Sequence, residues 1–162
     1  MKIRTATTND LQEITEIFNE TILNSIASFN TEAKSLEEQS QWFSKLTESG
    51  FPIVVAEEDG KVVGWGSLAP WADRCAYSKT AEISTYVHEE HRGIGIGCEL
   101  KLKIVEIAKA KGLHTIISRM AGSNPANERL NKKLGFEHIG TMKEVGFKFG
   151  EYHDVHLFQK IL

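Results

Sequence analysis

A chain of 162 residues, 41% hydrophobic and 25% charged, has the size and make-up of one ordinary folded domain spanning 1–162. Its formal net charge of −3 lacks the basic excess of a nucleic-acid binder, so no nucleic-acid partner is expected. Met1-Lys2-Ile3-Arg4-Thr5 has no apolar leader core and no apolar run reaches membrane-spanning length, so a cytoplasmic protein without membrane contact is expected. Its two cysteines, Cys75 and Cys98, form no Cys-x-x-Cys pair and read as reduced thiols.

In chain order, Lys2 to Ala6 reads as a short strand. Asn9 or Asp10 can cap a helix whose apolar stripe is Leu11, Ile14, Ile17, Phe18 and Ile22. Ser25 to Ala33 reads as a loop, and Ser35-Leu36-Glu37-Glu38 is a capping box that opens a second helix through Trp42, Phe43 and Leu46. Gly50 ends that helix. Pro52 to Glu58 and Lys61 to Leu68 are strands joined by Asp59-Gly60, a type I′ hairpin signal. After an irregular stretch from Trp71 to Lys79, Ala81 to Val87 is rich in β-branched and aromatic residues, which favour a strand.

A long helix follows, with Leu100, Ile104, Ile107 and Ala108 at helical spacing and its lysines expected on the wet face. Gly112 supplies its C-cap, and His114 to Arg119 makes another strand. Asn124-Pro125 opens a helix to Leu134, stopped by Gly135, and Phe136 begins the next strand. Two further strand-like runs fill Glu144 to Leu162, around Gly150-Glu151. There is no repeat or linker. The pattern predicts one α/β domain of the α+β type, with a mixed, largely antiparallel sheet.

The stretch with most chemistry is His91-Arg92-Gly93-Ile94-Gly95-Ile96-Gly97-Cys98, a glycine-rich strand-to-helix turn. Backbone N–H groups in a first helical turn lack intrahelical partners, glycine removes the Cβ atoms that would fend off a ligand, and the helix dipole is positive there. The turn should bind an anion, phosphate above all. It is not a P-loop, because Gly97-Cys98 stands where Gly-Lys-Ser/Thr is needed. Nor is it a dinucleotide fingerprint: cysteine takes the third glycine position and no strand-ending acid follows at the right distance.

Arg92, Gly95 and Gly97 fit Arg-x-x-Gly-x-Gly, which resembles the pyrophosphate loop of the GNAT acetyltransferase superfamily. Four more segments resemble its phosphinothricin and methionine-sulfoximine N-acetyltransferase branch, collinear from about Ile3 to the C-terminus. These are Ser28 to Glu32; Arg74-Cys75-Ala76-Tyr77 with Ala81-Glu82; Asn124 with Arg129-Leu130 and Leu134-Gly135-Phe136; and Val145 to Val155. The resemblance implies the GNAT fold, with helices on both sheet faces and two central strands splayed around acetyl-coenzyme A. It implies that Thr85, Tyr86 and Val87 offer main-chain groups to the pantetheine arm. By the same resemblance Arg92, Gly93, Ile94, Gly95, Ile96, Gly97 and Cys98 hold the pyrophosphate, while Asn124 and Lys133 contact the arm or the 3′-phosphate end.

Transfer of acetyl to an amine needs a base for the amine proton, and Glu82, on one strand face with Ser84 and Tyr86, is the candidate. Carbonyl polarisation needs only a strand N–H, near Val87. For the acceptor, Arg74 could pair with a substrate carboxylate, with Cys75, Ala76, Tyr77 and Phe29 around it. In related enzymes the Phe29 segment comes from a partner subunit, so a homodimer is expected. Where relatives carry tyrosine or histidine to serve the departing thiol, this chain has Asn131, whose amide cannot give up a proton. Asn131 is left to hydrogen-bond the sulfur or the substrate.

Metal binding is not expected: His153 and His156 point to opposite faces of a strand, and His88 and His91 have no third ligand nearby. The sequence reads as an acetyl-coenzyme A–dependent N-acetyltransferase for a small amino acid–like amine. The alternatives are an enzyme for protein N-termini or polyamines, or a weakly catalytic coenzyme-binding module.

Overall fold

Asp59 and Gly60 both take left-handed φ values, 48° and 79°, the two-residue type I′ turn that their sequence signals. They join β2 (Ile53–Glu58) to β3 (Lys61–Pro70), two strands at the heart of a seven-stranded sheet. The computed structural model describes residues 1–162. β1 (Lys2–Thr5) lies on the outer side of β2; beyond β3 come β4 (Thr80–Val87), β5 (Thr115–Ala121), β7 (Glu151–Ile161) and β6 (Glu137–Lys148). Every neighbouring pair is antiparallel except β4 and β5.

Four helices cover the sheet: α1 (Leu11–Asn24), α2 (Leu36–Glu48), α3 (Ile96–Ala110) and α4 (Pro125–Lys133). Strand β2 explains why the core has two layers. Its run is apolar on both faces because both are covered. Ile53 and Val55 join α1 and α2 residues such as Ile14 and Phe43, while Val54 and Ala56 join α3 residues such as Leu100 and Ile104. The expected caps are present: Ser35 Oγ accepts from the Glu38 amide, and the Glu38 carboxylate from the Ser35 amide. Asn124 Oδ1 accepts from the Asn127 amide at 3.0 Å.

Two expectations are corrected. The residues after Phe136 and those from Glu144 form one strand, β6, because a bulge at Glu144 (φ 52°) bends the chain without breaking its pairing with β7. Asp10 does not cap α1 through its side chain. It closes a short 3-10 turn, Thr8–Asp10, and its carboxylate takes two hydrogen bonds from Arg4 at 2.7 and 2.8 Å, which hold it below the usual carboxylate range.

One feature of β3 sets the position of α3. A Cβ on Gly66 would lie 2.7 Å from Ile104 Cδ1 and 2.8 Å from the Ser84 carbonyl oxygen; one on Gly64 would meet Ile96 and the Tyr86 carbonyl at 3.1 Å. These glycines let α3 lie close against β3 and β4. Gly66→Ala is therefore expected to lower stability by about 1–3 kcal/mol, the usual cost of overpacking. A melting temperature unchanged within 1 °C or so would contradict this close approach.

Candidate active site

The parallel pairing of β4 with β5 runs from Thr80↔Thr115 to Ile83↔Ser118 and stops there, although both strands continue. Amides on the β5-facing edge of Ser84 to Val87 therefore have no ladder partner. The strands part into a cleft of about 840 Å³. Glu82, Ser84 and Tyr86 face it from β4, Arg119 from β5, Lys101 from α3, Asn127 from α4 and Asn124 from its N-cap. Phe29 and its loop close one side.

At the far end of β4 the chain makes a short 3-10 turn, Glu89–His91, and enters α3 through the glycines. Gly93 and Gly95 have φ of 80° and 100°, a region closed to most side chains. The N–H groups of Gly93, Ile94, Gly95, Ile96 and Gly97 donate to nothing in the protein, and Arg92 to Gly95 is exposed. Consecutive free amides at the positive end of a 15-residue helix form a concave donor set for phosphate. The Arg92 side chain is turned away to other partners: its Nε donates to the Val87 carbonyl at 3.0 Å and its guanidinium pairs with Glu20. Anion binding thus falls to the main chain.

Glu82 is not alone at the parting. Its carboxylate is held bidentately by Arg119, with Nε donating to Oε1 at 2.7 Å and a second bond to Oε2. The Arg119 guanidinium lies 5.3 Å from the Trp71 ring centroid, which fixes its plane. Next along the same face, burial pushes the Tyr86 phenol up to about 12, with the Glu82 charge adding to the effect. Tyr86 stays protonated and packs on Trp65 at 4.8 Å and Phe18 at 5.0 Å.

Among the sequence candidates, Glu82, Thr85, Tyr86, Asn124 and Phe29 line the cleft. Val87 and residues 92–98 form the turn beyond it. Lys133 is exposed at the last residue of α4 and is not part of the lining. Arg74, Cys75, Ala76 and Tyr77 form an exposed 3-10 turn between β3 and β4, also outside the lining. Phe29 lines the cleft of its own chain. It sits where a Cβ on Gly146 would be, 2.3 Å from the ring, and beside His153.

His153 Nε2 meets the Lys148 carbonyl at 2.9 Å, whereas His156 Nδ1 meets Thr141 Oγ1 at 2.8 Å, as their opposite faces require. No group of three or more His, Cys, Asp or Glu side chains comes together.

Three cations were not found in sequence. Arg119 is one. Lys148 is buried and donates to the carbonyls of Ile22, Ser25 and Ser28 at 2.6–2.7 Å, tying the Phe29 loop to the end of α1. Burial lowers its pKa. Lys101 corrects the expectation that the α3 lysines face water: it is 3% exposed, and its Nζ donates to Asn131 Oδ1 at 2.7 Å and Asn127 Oδ1 at 3.1 Å. Its position was legible: residue 101 lies three before Ile104 and four before Val105, on the buried stripe.

A free-amide turn feeding a cleft between parted parallel strands, with a carboxylate on the inner strand, defines an α+β domain whose turn suits a pyrophosphate-bearing ligand. Residues 3–157 match the family model of the acetyltransferase (GNAT) domain, and the chain belongs to that family. It is 35% identical over 158 residues to the L-methionine sulfoximine/L-methionine sulfone acetyltransferase of Pseudomonas aeruginosa, covering 97% of this chain and 92% of that one. A phosphinothricin acetyltransferase of Sinorhizobium meliloti, solved in complex with AcCoA, superposes with a TM-score of 0.97 at 36% identity, over 99% of this chain and 88% of that one. A structure described as ribosomal-protein-alanine N-acetyltransferase from Brucella melitensis superposes with a TM-score of 0.98 at 37% identity, over the full length of both.

Burial lowers Lys101 from 10.5 to about 8. Between these values the unfolded chain binds more protons than the native protein, so this group makes stability rise as pH rises from about 8 to 10.5. The expected outcome is that Lys101→Met, compared with the wild type by denaturant titration, has its greatest relative stability near pH 7. That advantage should shrink steadily toward pH 10.5; a pH-independent difference would mean the lysine is not desolvated.

Proposed function

We propose that this protein is an acetyl-coenzyme A–dependent N-acetyltransferase acting on the amine of a small amino acid–like substrate. The observation that carries this reading is the run of five free amides, Gly93 to Gly97, at the mouth of the parting between β4 and β5. The donor set fits a diphosphate, and the unpaired β4 edge fits an amide-bearing arm lying as a missing strand. The bound thioester supplies an activated acyl carbon. The residues of the chain do the rest. Glu82 accepts the proton of the attacking amine, directly or through water. Both of its oxygens keep lone pairs beyond those taken by Arg119, which holds the carboxylate plane fixed. A β4 amide near Val87 faces the carbonyl oxygen as its charge grows.

Charge in the cleft supports an amino acid–like acceptor. Its charged lining is Glu82, Arg119 and Lys101, two cations to one carboxylate, which suits an amine that also carries an acid and not a polyamine. The Pseudomonas and Sinorhizobium relatives, by their names, act on methionine sulfoximine or sulfone and on phosphinothricin. An N-terminal alanine peptide belongs in the acceptor panel because of the Brucella protein's description.

With wild-type protein and acetyl-coenzyme A, thiol release is expected with methionine sulfoximine or phosphinothricin. Glu82→Gln should cut kcat by about 10²–10⁴-fold with little change in coenzyme binding. Release from no amine in the panel, or full activity in Glu82→Gln, would end this reading.

The protein acts in the cytoplasm as a homodimer. Both its cysteines are free and no helix is long and apolar enough to cross a membrane. The hairpin of β6 and β7 leaves Val145, Phe147, Phe149 and Tyr152 more than half exposed, an apolar patch that a second copy would cover. The cleft is reached from this hairpin, since Val145 also lines it. Sedimentation is expected to give a dimer, and Phe147→Ser with Phe149→Ser a monomer; a wild-type monomer at micromolar concentration would contradict the assignment.

A further inference from the structure

Lys101 is the one charged side chain of the cleft with no opposite charge to meet. Glu82 and Arg119 satisfy each other across the parting. Lys101, by contrast, is buried and held only by two amide oxygens, Asn127 Oδ1 and Asn131 Oδ1. An ammonium has three donors, so one N–H is left for the cleft that Lys101 lines. No carboxylate comes from any packed element: α4 offers Asn127 and Asn131, and α3 itself only the Cys98 thiol. Across the cleft stand Glu82 and Arg119, already paired, and the protonated Tyr86.

Asn131 is committed to this arrangement. It is fully buried, its oxygen is turned to Lys101, and its Nδ2 is left with no acceptor. A buried donor without a partner is costly, so the amide is oriented for the lysine at the expense of its own second group. An isolated buried cation is costly too, and the cost falls when an anion arrives beside it.

We propose that Lys101 is a catalytic residue: its Nζ, carried by Asn127 and Asn131, pairs with the thiolate that leaves during acetyl transfer and stabilises its charge. The proposal rests on the transferase reading above. As the C–N bond forms, the C–S bond breaks and sulfur departs with the electron pair. The Lys101 ammonium pairs with that thiolate, the amine's own proton leaves through Glu82 to water, and the sulfur takes a proton from water on release. The products are the amide and the free thiol, and no other reactant is needed. Placement on the sequence supports the role. Lys101 lies about 7–8 Å along α3 from Ile96, on the helix that begins at the anion site and on the side that opens toward Glu82.

The test reads the bound thiol itself. Coenzyme A is titrated on the intact protein while its thiolate is followed by ultraviolet absorbance, alongside the affinities of coenzyme A and acetyl-coenzyme A by calorimetry. On the wild type the thiol should ionise near pH 7 or below, at least about tenfold more readily than the free thiol near 8.5. Lys101→Met should return it to the free value and weaken coenzyme A about tenfold at pH 8 while leaving acetyl-coenzyme A affinity nearly unchanged. Asn131→Asp keeps the lysine but gives it a carboxylate at the distance now held by the amide oxygen, and should also raise the bound thiol toward 8.5.

Equal thiol titrations in the wild type and Lys101→Met would overturn the proposal. So would equal losses for both coenzyme forms, which would make the lysine a packing element. If the wild type binds neither form, the transferase reading falls and this proposal with it; if it binds both with an unshifted thiol, only the proposal falls.

Discussion

The structure turns on a pairing that stops halfway. β4 and β5 are hydrogen-bonded as parallel neighbours for four residues and then diverge, leaving the β4 edge from Ser84 to Val87 open. An open edge inside a sheet is unstable unless something holds the strands apart and something else occupies the gap. Packing on the far side of β4 does the holding. Gly64 and Gly66 let α3 settle against β3 and β4, while Trp65 and Tyr86 stack on the opposite face with Phe18. β4 is thus fixed by β3 and by both helical layers, and β5 follows its own antiparallel partner β7 through seven residue pairs. The gap results from two strands each committed elsewhere.

Function is read from that gap outward. The turn that leaves β4 starts α3, so the positive helix end and its free amides are aimed along the same edge that lacks a partner. Glu82 sits one residue before the last paired position, at the inner end, where Arg119 can reach it diagonally from β5. A ligand that grips the turn and lies along β4 is thereby delivered to the carboxylate. The Arg92 side chain helps by donating to the Val87 carbonyl, which ties the entrance of the turn to the end of the strand. Lys148 does the corresponding work on the other wall by anchoring the loop that carries Phe29.

Local signals made most of the scaffold legible in the sequence. Asp59-Gly60, Ser35 with Glu38, Asn124-Pro125 and the glycines before α3 each act within a few residues, and each forms what its chemistry dictates. What failed needed knowledge of partners distant in sequence. The bulge at Glu144 is held by Asp154, whose carboxylate accepts from the Glu144 amide at 2.8 Å, so a single strand looked like two. Arg119 could be matched to Glu82 only once the β4–β5 register was known. That Gly146 leaves room for the Phe29 ring is likewise a contact between residues far apart in sequence. Lys101 differs from these: it lies three before Ile104 and four before Val105, so the α3 stripe widened by Val105 takes it inside.

Asn131 is the residue whose chemistry is most changed by its surroundings. Read alone, an amide where relatives carry an ionisable group implies a lost proton donor. The structure shows instead that the amide oxygen is occupied in holding an ammonium 2.7 Å away, so a side chain that cannot ionise is paired with one that can. The two residues lie thirty positions apart on different helices, and neither makes sense without the other: the lysine would be an unsupported buried charge, the asparagine a buried amide with both groups idle. Their union keeps a buried cation in the wall of the cleft without a carboxylate to neutralise it. A neutral holder leaves the charge available, whereas an acidic one would have quenched it. The choice of asparagine over aspartate at position 131 is therefore the structural sign that the positive charge is kept for something that enters the cleft.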